Sequence, residues 1–588
     1  MNIFKFFKGR EWIFSFLVLG LIIFQVWLDL ELPGYMNQMT VMIKSGVCTT
    51  TDIIIIGLKM LGVSLIISIL SIIVGYFAAT ISATISKRMR TAVFDKVQNF
   101  GHNEISKFSI PSLITRSTND ITQIQMLVAM GLEVLLRAPI LSIWAIATIL
   151  GKSWTLSLAT AGAVLLLVIL VVVIIVFALP KFKKIQTLTD NLNRVTRENI
   201  SGLRVVRAHN AENFESKKFA KANNELTNTN LAVNRLMSLL SPGMTLMTSG
   251  LSLAIYWIGA ILINSTALSA TGDLSRIVIF GDIMVFMQYS MMIVMSFVML
   301  TMIFIMLPRA MVSSRRIGEV LNTQNIVKYP EKSTKNTNFS PFSVEFRNVS
   351  FRYPGADEYV LKDINFTALP GQTIAFVGST GSGKSTLLNL IPRFYDATEG
   401  NILINGNDVK NYSKKDLLNI ISYVSQKAFL FDDTIQNNIT FGNNGKQKTI
   451  EIINSALKIS QSTEFVQNMP QGIDSHISQG GQNLSGGQKQ RLSIARALAR
   501  EPQIILFDDS FSALDYKTDK ILREELKNNL KNTTILIVAQ RIGTIMDADT
   551  IIVLDEGKMV GMGKHNELIQ SCAVYKEIAL SQLSEEEL

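Results

Sequence analysis

Cysteine and charge are what this sequence has least of. Two cysteines in 588 residues leave no basis for the disulfide framework that holds small secreted scaffolds together. Charged residues make up 17% of the chain, against about a quarter in soluble domains, which argues against an ordinary cytosolic protein. Hydrophobic residues reach 48%, far too many for a disordered chain. The net charge of +10 raises nucleic-acid binding as a question that the placement of the lysines and arginines must answer. What the chain has in excess is long apolar runs, the mark of a membrane protein.

A bilayer core about 30 Å thick takes about 20 mainly apolar residues in a helix. Six stretches qualify, near 12–33, 53–86, 127–151, 154–180, 237–265 and 277–307. The first follows Lys5, Lys8 and Arg10, as in a signal peptide, but no small-residue cleavage site comes after it, so a retained helix is expected. Positive charge orients the spans. The segment 86–126 carries Lys87, Arg88, Arg90, Lys96, Lys107 and Arg116, and 181–236 begins with Lys181, Lys183 and Lys184 and continues through Arg194, Arg197, Arg204 and Arg207. The opposite connections hold only Lys44, Lys152 and Arg276. Both long basic loops and the N-terminus are therefore expected in the cytoplasm, which places Cys48 outside and Cys572 inside, unable to pair. The basic surplus lies where topology requires it, so no nucleic-acid partner is expected.

The transmembrane domain is expected over 1–321, a polar linker over 322–341, and a soluble α/β domain over 342–588. In the last, the strand-like QTIAFVG leads into Gly378, Ser379, Thr380, Gly381, Ser382, Gly383, Lys384, Ser385 and Thr386, followed by a helical run. This fits G-x-x-x-x-G-K-[ST] in its strand–loop–helix setting. Glycines let backbone N–H groups curl around phosphates, and the following helix adds its positive end. Lys384 is placed to reach the β- and γ-phosphates and Ser385 to ligate Mg²⁺. Downstream, Ile504 to Asp508 is an apolar strand ending in a carboxylate suited to orienting Mg²⁺. Between them, Leu484 followed by Ser485, Gly486, Gly487 and Gln488 opens a helical pattern and forms a second anion cradle.

With these motifs in place the sequence resembles the ATP-binding cassette (ABC) transporters. Leu484 to Gln488 reads as the family's LSGGQ signature. Tyr353 stands where the adenine-stacking aromatic stands, Gln426 looks like the Q-loop glutamine and a Mg²⁺ ligand, and Ser512 to Asp515 looks like the D-loop. Six spans followed by one cassette resemble the exporter branch, which implies a multi-domain membrane protein: a six-helix transmembrane ABC exporter domain plus an α/β P-loop nucleotide-binding domain with a helical subdomain. In that branch two chains pair and sandwich ATP between the Walker motifs of one and the signature of the other. The segments 86–126 and 181–236 then correspond to loops whose tips are coupling helices.

Two departures carry an expectation of their own. The family's catalytic glutamate is replaced by Asp509, one methylene shorter, and a displacement of about 1 Å from attack geometry can cost about 10²-fold. The γ-phosphate-sensing histidine is replaced by Gln540, and none of the four histidines (102, 209, 476, 565) falls in that loop. Glutamine hydrogen-bonds a phosphate but never becomes cationic. Asp509 and Gln540 are thus the candidate catalytic residues of an impaired site. The expectation is the degenerate-site half of a heterodimeric multidrug exporter, whose partner chain supplies the glutamate and histidine while hydrolysis runs mainly at that partner's site. An ATP-gated channel or regulatory protein on the same architecture, and a homodimeric lipid flippase, are the alternatives. A further departure is Ser478 to Gly481, where exporters often carry a charged pair, so no salt bridge is expected there.

The membrane half says less. Met284, Met287, Met291, Met295, Met299, Met302 and Met306 recur three or four apart, forming one helical stripe of flexible side chains suited to varied apolar shapes. Phe286, Gln288, Tyr289 and Trp257 are further candidates for contact with a hydrophobic cargo. Glu133 and Arg137, spaced i,i+4, read as an ion pair, and Pro242 with Gly243 as a kink. Residue usage and topology place the chain in a bacterial cell membrane, with its cassette in the cytoplasm, ATP and Mg²⁺ as cofactors and the bilayer as surroundings.

Overall fold

The computed structural model describes residues 3–45, 49–151, 153–265, 272–333, 342–442 and 448–583. Cys48, Lys152 and residues 334–341 of the expected linker lie outside these residues. The chain forms two compact units, residues 1–98 with 110–323, and residues 99–109 with 324–588.

Among the described residues of the first unit, six helices are long and apolar enough to cross a membrane. They build on α1 (Gly9–Ser45), α2 (Thr50–Gln98), α5 (Asn119–Met130) continued by α6 (Leu136–Leu150), α7 (Trp154–Ser201), α9 (Glu212–Ser238) continued by α10 (Leu240–Ser265), and α11 (Gly272–Asn322). Two short helices, α3 (His102–Phe108) and α4 (Ile110–Ser117), precede α5, and α8 (Leu203–Ala208) lies between α7 and α9. The helices outrun the apolar stretches because their polar continuations are helical too. The 48 residues of α7 span about 70 Å at 1.5 Å per residue, more than twice a bilayer core. Large apolar side chains such as Ile54, Leu58, Leu61 and Leu65 on α2 face outward, as helices solvated by lipid require.

Polar contacts fix the helices where dispersion alone is not directional. The Tyr289 hydroxyl donates to the Leu30 carbonyl at 2.7 Å, and Thr160 and Ser290 share a buried hydrogen bond of 2.9 Å. Arg137 does not take Glu133 as its ion partner. Its Nη2 meets Asp29 Oδ2 on α1 at 2.8 Å, while Glu133 sits exposed in a π-helical stretch, Gly131–Leu135, which turns it away from the i,i+4 geometry of an α-helix. The break before the fifth span also falls elsewhere. The helix divides at Leu239, so Pro242 occupies the first turn of α10, where its missing N–H costs nothing. Gly243 there lets α10 approach α7, since a Cβ would come within 2.5 Å of Leu170 Cδ2.

Tyr289 and Phe286 are buried packing residues and not free to greet a cargo. The methionine stripe divides: Met295 and Met299 are exposed, Met284, Met287, Met291 and Met306 are half-buried, and the Met302 side chain lies outside the described residues. Gln288 and Trp257 are exposed.

Among the described residues, beside a two-stranded sheet that pairs Asp433–Thr434 with His476–Ile477, the second unit holds two main sheets. An antiparallel one runs Leu361–Ala368, Val344–Phe351, Glu399–Ile404 and the short Asn407–Asp408. The other has six strands in the order Lys558–Gly563, Thr550–Asp555, Thr373–Gly378, Thr534–Val538, Ile504–Asp508 and Ile421–Val424. All neighbours in it pair in parallel except the edge strand Lys558–Gly563. The strands Ile504–Asp508 and Thr534–Val538 are buried along their whole length, as near-continuous Ile, Leu and Val runs demand in a parallel sheet covered on both faces. Each such side chain contributes about 1.5–3 kcal/mol by leaving water. A helical part, including Ile450–Ile459 and Gly486–Leu498, packs Ile453, Leu457, Leu492 and Ala495 into the core that also holds Phe507 and Phe511.

Candidate functional site

Parallel pairing brings four strand ends side by side. Val538 lies opposite both Phe376 and Asp508, and Val424 opposite Phe507. The loops after these strands therefore emerge at one edge, where open α/β sheets hold their ligands. They carry the P-loop, Asp508 with Asp509, Gln426 and Gln540.

The P-loop folds between Thr373–Gly378 and the helix Lys384–Leu390. Gly383 caps that helix at φ +95°, and a Cβ there would come within 2.7 Å of Leu361 Cδ2 and 3.0 Å of the Val360 carbonyl. Only glycine suits both the backbone conformation and the space. Lys384 Nζ donates to the carbonyls of Gly378 at 2.8 Å and Ser379 at 2.7 Å, and to Ser382 Oγ at 3.2 Å. Burial pushes its pKa down, against the pull of Asp509 and Asp508, which favour the cation. Ser385 Oγ donates to Asp508 Oδ1 at 2.6 Å, and the Tyr423 hydroxyl donates to Oδ2 at 2.9 Å. Ser379, Thr380, Gly381 and Ser385 are exposed, while Ser382 and Thr386 are buried beneath them.

Asp509 is 7% exposed and sits at φ +47°, a left-handed conformation that aspartate tolerates better than most residues. Its Oδ2 accepts from Gln426 Nε2 at 3.0 Å and from Gln540 Nε2 at 2.9 Å. Burial raises its pKa and the neighbouring Asp508 adds to this, while the bonds from Gln426, Ser512 and Gln540 work the other way. Gln426 and Gln540 thus meet on one carboxylate. Tyr353 closes the other side of the P-loop, its hydroxyl 2.9 Å from Thr386 Oγ1.

The signature residues stand apart from this cluster. Ser485 and Gln488 form a capping box, with Ser485 N donating to Gln488 Oε1 at 2.9 Å and Gln488 N to Ser485 Oγ at 3.3 Å. Ser485 and Gly486 are exposed and Gly487 half-buried at the start of their helix, so the cradle faces outward. Asp515 caps the helix Tyr516–Asn529 through the amide of Thr518 at 2.9 Å. That amide holds its carboxyl below the usual range.

Two further residues support the site. Tyr423, three positions before Gln426, carries a cue only once Asp508 is known to need a second partner. Gln582, near the C-terminus, accepts from Ile542 N and donates to the Gln540 carbonyl, both at 2.8 Å. Nothing local in the sequence points to it.

Residues 361–512 match the ABC transporter family and residues 15–274 the ABC transporter transmembrane region. An uncharacterized ABC transporter ATP-binding protein of Mycobacterium tuberculosis (strain H37Rv) is 39% identical over 534 residues, 91% of this chain and 90% of that protein. An ATP-dependent lipid A-core flippase of Pseudomonas aeruginosa is 32% identical over 511 residues, 87% of this chain and 82% of that protein. Among solved structures, a bacterial Atm1-family ABC exporter with ATP bound superposes with a TM-score of 0.78 at 23% identity, covering 98% of both chains.

These relatives overturn the expected heterodimeric half-transporter with a degenerate site and a separate catalytic partner. A protein named ATP-dependent lipid A-core flippase aligns over 87% of this chain and 82% of its own length. The geometry supplies the physical reason. The shorter Asp509 is met by Gln540 and Gln426 in the same chain, so the two departures from the family pattern bond to each other. The match to the cassette carries ATP binding and an ATPase coupled to transport. The protein is multi-pass, with its ATP-binding domain in the cytoplasm. One polypeptide joins an exporter-type helical domain to a P-loop ATP-binding domain with a helical subdomain, and the chain belongs to the ABC transporter family.

Proposed function

We propose that the chain is an ATP-driven exporter of lipid-like amphiphiles, working as a pair of identical chains. The convergence of Gln426 and Gln540 on Asp509, beside the P-loop and Asp508, supports it most, because one chain then carries a complete hydrolytic half-site. The name ATP-dependent lipid A-core flippase, borne by relatives 30–32% identical, supports the class of cargo.

In this reading Tyr353 offers its ring to the adenine, and the P-loop from Gly378 to Thr386 wraps the phosphates. Ser485, Gly486, Gly487 and Gln488 complete the site on the other copy, with Asp515 at the junction. Lys384 leaves the loop carbonyls for the phosphates. Ser385, Asp508 and Gln426 fit a Mg²⁺ ion, as an oxygen donor set that keeps room for water and phosphate oxygens. When bound, the ion neutralises charge developing on the phosphates. Asp509 accepts a proton from the attacking water, and Gln540 holds Asp509 while presenting its amide to the γ-phosphate.

Turnover needs Asp509 as the carboxylate, and its pKa is raised. Activity is therefore full above that pKa and falls as pH drops through it, so the acid limb of kcat/KM will lie above the ordinary aspartate value of about 3.9. Gln426→Leu removes a bond that favours the carboxylate and will move the limb further up. A pH series on both proteins checks this. Tyr423→Phe deletes a donor to Asp508 and will raise the Mg²⁺ concentration for half-maximal turnover about tenfold, read from a Mg²⁺ titration.

The function itself is tested in proteoliposomes carrying a fluorescently labelled phosphatidylethanolamine. ATP is expected to drive the labelled lipid to one leaflet against its gradient, with no movement in the Asp509→Asn chain. ATP-dependent equilibration without accumulation would instead identify a channel-like protein and contradict the reading.

A further inference from the structure

Gln540 reaches Asp509 from a loop, so its side chain is only as well placed as the backbone that carries it. Ala539 is the last residue there tied to the sheet, its N–H donating to the Phe376 carbonyl at 3.3 Å. A short helical turn opens only at Ile542. Gln540 and Arg541 lie between, in neither element. Arg541 reaches the carbonyls of Leu514 and Ser512 at 3.4 and 3.3 Å, beyond the usual N–H···O range.

The short bonds of this stretch come from one side chain. Gln582 Nε2 donates to the Gln540 carbonyl and its Oε1 accepts from Ile542 N, both at 2.8 Å. A glutamine amide carries a donor and an acceptor side by side. It closes on the loop as a neighbouring strand would, fixing the two peptide units that flank Arg541.

Gln582 can do this because its own backbone is fixed. The helix Ala573–Leu580 buries Tyr575 and Ala579 completely, and the Tyr575 hydroxyl lies 2.7 Å from His565 Nδ1. Beyond that helix the N–H groups of Gln582 and Leu583 donate to the Ala579 carbonyl at 3.0 and 2.9 Å, and Leu583 packs on the core. The Gln582 side chain itself is exposed and fills no place in that core. What it holds is the loop.

We propose that Gln582 is the positioning residue that keeps the Gln540 side chain aligned with Asp509, so that the hydrolytic step depends on a contact from outside the nucleotide motifs. The inference rests on the role given to Gln540 above and adds the residue that places it.

ATP turnover by the full chain reconstituted in lipid tests it, with kcat and KM separated. A misplacement of about 1 Å can cost about 10²-fold, so Gln582→Ala, which frees the loop and keeps Gln540, is expected to lower kcat about tenfold or more, with KM for ATP within about twofold. The thermal unfolding midpoint should change little, because the side chain is exposed. Added to a Gln540→Ala chain, the same substitution will cost less than about twofold, because a residue that acts through another has nothing left to position. Phosphate release from radiolabelled ATP follows these chains down to low rates. An unchanged kcat in Gln582→Ala overturns the inference, as does a further loss of about tenfold on top of Gln540→Ala. A fall in kcat matched by a rise in KM and a lower unfolding midpoint overturns it too, since that pattern marks a merely structural role. Full turnover in Gln540→Ala alone would show that the role given to Gln540 has failed, and the inference falls with it.

Discussion

Replacing Asp509 with asparagine will abolish ATP turnover and leave ATP bound. The substitution keeps the volume of the side chain and suits the left-handed backbone at φ +47°, because asparagine and aspartate both tolerate that region. The amide oxygen can still accept from Gln426 and Gln540, which now bond to Asp509 Oδ2. What disappears is the proton acceptor. A positioned general base contributes about 10²–10⁴-fold, so phosphate release should fall by at least that lower figure, with the affinity for a fluorescent ATP analogue within a few-fold of the unaltered chain. A fall of less than about tenfold would remove Asp509 from the reaction.

Lys384→Met should cost nearly as much, through binding. The lysine has three donors, now on Gly378 O, Ser379 O and Ser382 Oγ, so it is poised at the loop without being committed to it. Methionine keeps the length and apolar stem but has no donor and no charge. Hydrogen bonds to charged groups contribute about 1.5–3 kcal/mol each. Losing one or two of them should raise the apparent KM for ATP about a hundredfold or more. Because the fold of the loop depends on glycines rather than on this side chain, thermal stability without nucleotide should change little. The stabilisation that ATP gives the unaltered chain should vanish, since a ligand stabilises only what it binds.

The parts of this molecule that could be read in one dimension are those whose chemistry demands contiguous residues. A P-loop must have its glycines, lysine and serine in order, a helix crossing lipid must be apolar for its full depth, and LSGGQ must open a helix. What could not be read depends on folding. Arg137 pairs with Asp29, which is 108 residues away, because a π-helical stretch reorients Glu133. Tyr289 is a packing residue because Leu30 offers it a carbonyl. Residues 99–109 join the cassette's compact unit, although the sequence places them in the middle of a membrane-domain loop. Gln582 holds the loop that carries Gln540 from 42 positions further on. The expected catalytic partner fails for a different reason. In one dimension Asp509 and Gln540 each depart from the family's glutamate and histidine, and the hydrogen bond between them exists only in three dimensions.

The most direct measurement is ATP turnover by the purified chain alone, reconstituted in lipid. A homodimeric exporter whose two identical chains supply both halves of each site should turn over on the order of 1 s⁻¹ or faster, in the ordinary range for enzymes, and lose this in Asp509→Asn. A chain that is folded and binds ATP, yet hydrolyses it only after a different polypeptide is added, would contradict that assignment.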